Sequence, residues 1–206
     1  MRVIIVAGSK CNTFCNYNYQ DNDYFIGIED GGYEIIKKGY SLDLAIGDFD
    51  TTNYFEEVKS NAKKLIKYSP IKDQIDLELA LMYIEENFKD EEIYIYNATQ
   101  GRMDHELITI KLLIKYQHLN IHLINQNEEI LYINKTYEIN KKDTRFSLIP
   151  FNEVTLDISG AVYPLSKTTL DITCNYTSSN KTKDAAVINI YNGGIIFRKV
   201  EKFPIS

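Results

Sequence analysis

The sequence predicts an α/β domain over residues 1–125, followed by an antiparallel β-sandwich over residues 126–206. The first prediction rests on short apolar β-type runs that alternate with helical patterns up to about residue 125, as in βαβ units around a mostly parallel sheet. The second rests on short strand-like runs that continue from Glu128 onward without a convincing helix. No proline-rich linker divides the two parts, so we expect them to pack closely.

Strands and two clear helices are predicted in the first part. The strands are Arg2 to Ala7, Tyr24 to Ile28, Asp43 to Ile46, Lys63 to Tyr68, Glu92 to Tyr96 and Asn120 to Ile124. One helix is predicted over Ile75 to Phe88, where apolar residues at helical spacing form a stripe: Leu77, Leu81, Ile84 and Phe88. The other covers Asp104 to Tyr116, with a similar stripe: Leu107, Ile108, Leu112 and Tyr116.

In the second part, runs of β-type residues are separated by Asn, Lys, Ser and Gly. They predict strands at Ile130 to Ile133, Phe146 to Ile149, Val154 to Ile158, Leu170 to Cys174, Val187 to Tyr191 and Ile195 to Val200. Asn192-Gly193-Gly194 predicts a hairpin between the last two strands.

Composition narrows the class of protein. The 206 residues carry 23 Lys plus Arg against 29 Asp plus Glu, a net charge of −6, which argues against a broad nucleic-acid surface. Cys11, Cys15 and Cys174 form neither a disulfide framework nor a zinc motif, so we expect a reduced, cytoplasmic setting. No apolar stretch approaches a membrane span.

Acidic turns follow several predicted strands, at the sheet edge where open parallel sheets bind ligands. These turns are Glu29 to Gly32, Gly47 to Thr51, Lys72 to Asp76 and Asn97 to His105. Asp48 and Asp50, if still extended, would point to the same face and repel each other by about 4 kcal/mol at 4 Å and an effective dielectric near 20. A Mg²⁺ ion would relieve this repulsion and would let an acidic protein bind a polyphosphate.

Each of these residues also has a purely structural interpretation. Asp48 and Asp50 could shape a turn, and Asp73 stands where the N-cap of the following helix is expected. The Gly31-Gly32 pair and Gly101 could serve tight turns or admit a phosphate to backbone N–H groups. What favours a site is that several acidic turns should meet at one sheet edge. For His105 we expect packing beneath a helix start, and for His118 and His122 a structural role.

Several common motifs are missing. The sequence contains no P-loop, no Gly-x-Gly-x-x-Gly fingerprint and no Gly-x-Ser-x-Gly elbow, so it indicates neither a P-loop kinase nor an ordinary dinucleotide enzyme or serine hydrolase.

At its acidic turns the sequence resembles the thiamine pyrophosphokinase family. Family motifs occur in order at Asp30 to Gly32, Gly47 to Thr51, Asp73 to Asp76 and Asn97 to His105, and again at Ser159 to Leu165 and Ser179-Asn180. Some positions depart from the family pattern. Asn97 and Gln100 replace glycines, Ile75 replaces a hydroxyl residue, and Thr173 and Thr177 stand where glycines are usual.

The resemblance implies a Rossmann-like first domain, a β-sandwich second domain that binds thiamine and forms a homodimer, and sites at the subunit interface. It implies transfer of pyrophosphate from ATP to thiamine. The acids expected to act in catalysis are Asp48, Asp50, Asp73 and Asp76, with Mg²⁺ on Asp48, Asp50 and Asp76. Nucleotide contacts are expected from Asp30, Gly31, Gly32, Gln74, Thr99, Gly101 and Arg102. Substrate contacts are expected from Asp104, Ser179, Asn180 and Phe197.

The resemblance also implies a role for Phe197: in register with the family's C-terminal strand, it is expected to be the aromatic surface for the thiamine pyrimidine, since the chain has no Trp. A Phe in an alternating strand is also a common core residue. Two other functions stay open from the residues themselves: pyrophosphoryl transfer to another hydroxyalkyl heterocycle such as a pterin, and a non-catalytic metal- or nucleotide-binding module.

Overall fold

A computed structural model describes residues 1–9 and 13–200 of the chain. The chain divides into two compact units, Met1–Gln126 and Asn127–Ser206. Within the described residues, no helix is long and apolar enough to cross a membrane. Cys15 and Cys174 form no disulfide within the described residues, and Cys11 lies outside them.

The first unit is built on a parallel sheet. Its described strands are β1 (Arg2–Val6), β2 (Tyr24–Ile28), β3 (Leu42–Gly47), β4 (Ala62–Lys67), β5 (Glu92–Tyr96) and β6 (Asn120–Ile124). Each agrees with its predicted position to within one residue. Neighbouring strands are parallel in the order β6-β5-β1-β2-β3-β4. The order of the strands therefore reverses at β1, because β5 pairs on the side of β1 opposite to β2.

Helices connect most of these strands. They are α1 (Asp30–Lys37), α2 (Phe55–Asn61), α3 (Asp76–Asn87) and α4 (Met103–Lys115), and a short 3₁₀ helix covers Thr13–Asn16. The predicted stripe of α3 is confirmed for Leu77, Leu81 and Ile84, which are buried. The stripe of α4 is wrong at Leu107, which is 56% exposed. Its buried face is instead spaced by three, four and seven residues from Thr109, and includes Leu112, Leu113 and Tyr116.

Glycines let α1 lie close to the sheet. A Cβ on Gly31 would lie 1.9 Å from the Val6 carbonyl oxygen, and one on Gly27 would lie 2.3 Å from the Gly32 Cα. The Asp-Gly-Gly motif thus has a packing reason, since the start of α1 rests directly on β1 and β2. This contact sets the position of Asp30, the first residue of α1.

The second unit is antiparallel. Its described strands are β7 (Glu128–Ile133), β8 (Tyr137–Ile139), β9 (Arg145–Ile149), β10 (Val154–Ala161), β11 (Leu165–Leu170), β12 (Asn180–Asn192) and β13 (Ile195–Val200). They pair in the order β11-β10-β12-β9-β13-β7, and β8 also pairs with β12.

Two predictions for this unit are wrong. The strand predicted from Leu170 to Cys174 is a turn beyond its first residue, because the Asp171 carboxylate accepts a hydrogen bond from the Thr173 amide at 2.8 Å. The hairpin predicted at Asn192-Gly193-Gly194 is also wrong, since β9 lies between β12 and β13. Gly193 does make a left-handed turn there, with φ +77°.

Candidate active site

A cavity of about 720 Å³ opens at the carboxyl ends of the parallel strands, next to the point where the strand order reverses between β1 and β5. Ala7, Gly8 and Ser9 follow β1 and form one wall, and residues 97–102 follow β5 and form another. The volume is typical of small-molecule sites. Predicted site residues that line it are Asp30, Asp48, Gln74, Asp76, Thr99, Gly101 and Arg102.

An ammonium group bridges two of the predicted catalytic acids. Lys72 Nζ lies 2.8 Å from Asp48 Oδ2 and 2.9 Å from Asp76 Oδ1, and all three side chains are at least three-quarters buried. The Lys72–Asp76 contact lacks hydrogen-bond geometry, so the buried Asp76 Oδ1 makes no hydrogen bond within the described residues. Sequence reasoning assigned no role to Lys72, because it considered only the carboxylates of this turn.

The ion pairs of Lys72 shift the pKa values of Lys72 and Asp48. The hydrogen bond from Lys72 holds the pKa of Asp48 below its ordinary value. Burial lowers the pKa of Lys72, but its contacts with Asp48 and Asp76 outweigh burial and raise it. Lys72 therefore already compensates for the negative charge of Asp48 in this structure.

The chain between Asp48 and Asp50 is not extended. β3 ends at Gly47, and Phe49 adopts a left-handed conformation with φ +55°, so the chain is no longer extended between the two acids. The Asp50 amide instead donates a hydrogen bond to Asp48 Oδ1 at 3.2 Å, and the Asp50 side chain is exposed. The extended conformation on which the same-face prediction depends is therefore absent between Asp48 and Asp50.

Glu29 is a partly buried acid for which no role was predicted. It follows β2 with φ +51°, and its Oε1 accepts a hydrogen bond from the Phe49 amide at 2.8 Å. Its Oε2 is buried without a hydrogen bond in the described residues. Burial, and then the charges of Asp76 and Asp48, raise the pKa of Glu29. The only signal in the sequence is its place in an acidic turn directly after a strand.

Asp73 is exposed and is not the N-cap of α3. The helix begins at Asp76, and its N-cap is Ile75, which has no side chain able to accept a hydrogen bond from the helix. The predicted capping role of Asp73 is therefore wrong. The departure at Ile75 replaces a hydroxyl group that could have capped this helix.

The turn after β5 contains both predicted glycine replacements, and both have left-handed backbones. Asn97 has φ +57° and Gln100 has φ +61°. Asn97 Oδ1 accepts hydrogen bonds from Thr13 Oγ1 at 3.1 Å and from the Phe14 amide at 3.0 Å, so the side chain compensates for its conformation. Thr99 is 6% exposed, lines the cavity, and has a buried hydroxyl with no hydrogen bond in the described structure. That hydroxyl is available to a ligand.

Arg102 and Asp104 form an exposed pair. Arg102 donates through Nε to Asp104 Oδ1 at 3.1 Å and through Nη2 to Asp104 Oδ2 at 2.5 Å. The hydrogen bond from Arg102 lowers the pKa of Asp104 to about 2. Arg102 lines the cavity together with His105, which is exposed rather than packed beneath α4 as expected.

Predicted residues of the second unit have internal partners. Asn180 is 3% exposed. Its side-chain Nδ2 donates to the Tyr163 carbonyl at 2.8 Å, and its Oδ1 accepts from the Tyr163 backbone amide at 3.1 Å. The Ser179 amide donates to Ser147 Oγ at 3.1 Å, and Ser179 has φ +60°.

Phe197 belongs to the core of the second unit. It has 0% exposure, and its ring centroid lies 4.8 Å from that of Tyr137 and 6.0 Å from that of Phe146. A ring with no exposed face cannot stack on a ligand, so the structure corrects the expected substrate contact in favour of the core interpretation.

Asp48 and Asp76 provide two carboxylates close to a single cationic position, as a magnesium site requires. Both carboxylates already approach one cationic nitrogen, and Mg²⁺ commonly uses one or two carboxylates together with substrate phosphates. No group of three or more His, Cys, Asp or Glu side chains is arranged to hold a metal among residues 1–9 and 13–200. The residues therefore fit a metal that arrives with additional ligands.

Comparisons with known proteins point to one family. The family model described as thiamin pyrophosphokinase, catalytic domain, matches residues 16–125. A thiamine pyrophosphokinase of Bacillus subtilis (strain 168) is 31% identical over 188 residues, which is 86% of this chain and 87% of the relative. A crystal structure of thiamine pyrophosphokinase from Bacillus subtilis has a TM-score of 0.83 and 27% identity, and covers 98% of this chain and 100% of that one. Thiamin pyrophosphokinase from Candida albicans shares the fold, with a TM-score of 0.79, 15% identity, and coverage of 98% and 89%.

Proposed function

The chain belongs to the thiamine pyrophosphokinase family, and we propose that it transfers the pyrophosphoryl group of ATP to thiamine, giving thiamine diphosphate and AMP. The observation that carries the proposal is the cavity at the reversal of strand order, where Asp48 and Asp76 approach a single cationic group. Such a pair suits a reaction in which most of the work is positioning and neutralising phosphate charge.

In the proposed reaction, the hydroxyl oxygen of thiamine attacks the β-phosphorus of ATP in line. A new O–P bond forms, the bond from the β-phosphorus to the oxygen bridging it to the α-phosphorus breaks, and AMP leaves with that oxygen. The alcohol proton passes to a nearby base. Mg²⁺, when bound, supplies charge neutralisation, and Asp48 and Asp76 would hold it with Asp50 on the same turn. Asp73 is exposed, and it would help to position these acids from the surface.

We expect the nucleotide to bind in the cavity and to contact residues of its walls. Thr99 would use its buried hydroxyl, which has no hydrogen bond to any described residue, and Gly101 would use its backbone. Arg102 would use its guanidinium, which is 71% exposed and can turn from Asp104 toward phosphate. Asp30 and Gln74 would contact the nucleotide from the other side. Gly31 and Gly32 are buried and would act by fixing the start of α1.

The second unit is assigned to thiamine binding and dimer formation in the cytoplasm. We propose a homodimer whose sites lie at the subunit interface, with Ser179, Asn180 and Asp104 near the substrate. We also propose that the first unit is Rossmann-like and the second a β-sandwich. The sandwich is supported by β12, which pairs with β9 at its start and with β10 and β8 along its length.

The test is an assay of AMP release with ATP, Mg²⁺ and a panel of heterocyclic alcohols that includes thiamine and a hydroxymethyl pterin. We expect product only when thiamine is the acceptor. AMP and thiamine diphosphate should then form in equal amounts, measured by chromatography and mass spectrometry. AMP release with the pterin only would assign another acceptor, and no AMP release with any alcohol would indicate a binding module. Sedimentation at micromolar concentration should give twice 23.9 kDa. A monomer with full activity would exclude the shared site.

A further inference from the structure

Lys72 has no part in the reaction as proposed, yet it lies at the centre of the acidic group. Its side chain is 13% exposed, compared with 65% for Lys63, which forms a single ion pair with Asp43 at 2.7 Å on the surface. Holding an ammonium group this far out of water is unfavourable unless carboxylates compensate for it. Asp48 and Asp76 do so, at 2.8 and 2.9 Å from the same nitrogen.

The ammonium group and a divalent cation compete for the same two carboxylates. Asp48 Oδ2 and Asp76 Oδ1 are the oxygens nearest to Lys72 Nζ, and Asp76 Oδ1 has no hydrogen bond within the described structure. A cation placed on these oxygens would meet a positive charge at close range, which is repulsive in a partly buried site. Lys72 must therefore leave before a metal can bind both acids.

Bound phosphates would give the Lys72 ammonium group alternative hydrogen-bond acceptors. Its ammonium group has three N–H donors on a flexible four-carbon chain, and Lys72 itself lines the cavity. Phosphate oxygens in the cavity would offer it new acceptors. Without phosphates, its best partners are the two carboxylates that it already contacts.

We propose that Lys72 is a positioning residue that occupies the cation position between Asp48 and Asp76, so that a divalent cation binds there only together with the phosphates of the nucleotide. The nucleotide part of this inference rests on the proposed function. The part that concerns the empty protein does not, because it follows from the contacts of Lys72 alone. In the absence of nucleotide, Lys72 thus neutralises Asp48 and Asp76 and prevents a divalent cation from binding to them.

The experiment is a titration of the full chain with Mn²⁺ alone, followed by electron paramagnetic resonance, with no nucleotide or thiamine present. Mn²⁺ takes the same oxygen ligands as Mg²⁺. We expect Lys72→Met to bind Mn²⁺ at least tenfold more tightly than the unchanged protein. Lys63→Met is the matched control, since it removes the same charge from a pair with one aspartate, and we expect its Mn²⁺ affinity to equal that of the unchanged protein.

A second variant identifies the ligands of the added metal. Lys72→Met combined with Asp48→Asn should lose the gain in Mn²⁺ affinity, because one of the two carboxylates that Lys72 neutralised is gone. Thermal melting establishes that each variant is folded, and Lys72→Gln replaces Lys72→Met if the latter is not. Equal Mn²⁺ affinity for a folded Lys72 variant and the unchanged protein would overturn the proposal. An equal gain for Lys63→Met would also overturn it, by assigning the effect to net charge.

Addition of a non-hydrolysable ATP analogue tests the coupling. The unchanged protein should gain Mn²⁺ at the site when the analogue is present, while Lys72→Met should gain much less, because its site is already open to metal. Equal gains would overturn the coupling. Failure of the proposed function would look different: AMP release would be absent, while the nucleotide-free gain of Lys72→Met would remain.

Discussion

The carboxylate of Glu29 occupies the space that a side chain on Gly47 would fill. A Cβ placed on Gly47 would lie 2.0 Å from Glu29 Oε1. The same oxygen accepts the Phe49 amide, so Glu29 braces the turn that carries Asp48. The glycine is required because only the absence of a side chain lets the acid lie over the backbone.

Gly47→Ala should therefore destabilise the first unit and disturb the Asp48 turn. We expect a loss of about 1–3 kcal/mol in the free energy of unfolding, measured by urea denaturation, from crowding against Glu29. The control is Gly39→Ala, because Gly39 also has a positive φ, +79°, but has open space around it. Equal losses in the two variants would attribute the whole effect to backbone strain and none to Glu29.

Asp48→Asn should reduce turnover by at least about 10², since removing one preorganised electrostatic group commonly costs that much. The same reduction is expected for Asp50→Asn if Asp50 takes part in metal binding. Steady-state rates at saturating ATP and thiamine measure both, with circular dichroism as a check of the fold. Near-normal turnover in both folded variants would remove these residues from the site.

Phe197→Ala should destabilise the second unit by about 3–5 kcal/mol, as expected for a fully buried aromatic residue. The KM for thiamine should stay unchanged in the folded fraction, because the ring has no exposed face. Tyr163→Ala is a suitable comparison, since Tyr163 is 65% exposed and should cost less than about 0.5 kcal/mol. A raised thiamine KM without loss of stability would return Phe197 to the substrate site.

Regular elements were predictable because their signals are local. β1 to β6 and the buried face of α3 follow from apolar runs and helical spacing, which depend on residues close in sequence. The hairpin at Asn192-Gly193-Gly194 was wrong for the opposite reason. Turn residues report the local bend, whereas the insertion of β9 between β12 and β13 depends on pairing over long distances in the chain.

Site geometry was predictable only in part. The acidic turns indicated the correct sheet edge, but the positive φ of Phe49 ended the extended conformation assumed between Asp48 and Asp50, and no residue preference predicts that conformation for a Phe. Lys72 and Glu29 were missed because both depend on their proximity to Asp48 and Asp76, which belong to different parts of the sequence. A spacing argument treats each turn alone.

Asn97→Gly should destabilise the protein although it places glycine at a left-handed position. The Asn97 side chain holds Thr13 and the Phe14 amide, and its loss leaves buried groups unpaired at a cost of about 1–3 kcal/mol. The same substitution at exposed Asn22, which has φ +72°, should be within about 0.5 kcal/mol of neutral or stabilising. Urea denaturation distinguishes them, and equal effects would contradict the role of the Asn97 side chain.

Asp23→Asn should destabilise the first unit by about 3 kcal/mol at pH 7, because it breaks a pair in which Asp23 is 1% exposed and Arg2 17% exposed. Burial acts to raise the pKa of Asp23, but hydrogen bonds from Arg2, Tyr17 and the Gln20 amide outweigh it and hold the pKa below its ordinary 3.8. The stabilisation is therefore complete above pH 3.8 and is lost as the pH falls through the lowered value.

Denaturation curves at pH 7 and at successively lower pH, down to about 2, measure this dependence. The difference between the unchanged protein and Asp23→Asn should shrink below the ordinary pKa. Asp143→Asn, at an exposed pair with Lys181, should leave the curves unchanged. A difference for Asp23→Asn that is constant with pH would assign the effect to shape rather than charge.

The placement of β5 beside β1 also governs when the cavity can first exist. Ser9 Oγ lies 3.5 Å from the Thr99 carbonyl, although 90 residues separate them. On the ribosome, β1 to β4 emerge long before the second wall of the cavity has been synthesised, at about 5–20 residues per second. Ligand held between the two walls cannot stabilise the nascent chain during that interval, so the first strands depend on their own packing, pairing and ion pairs until β5 has been made.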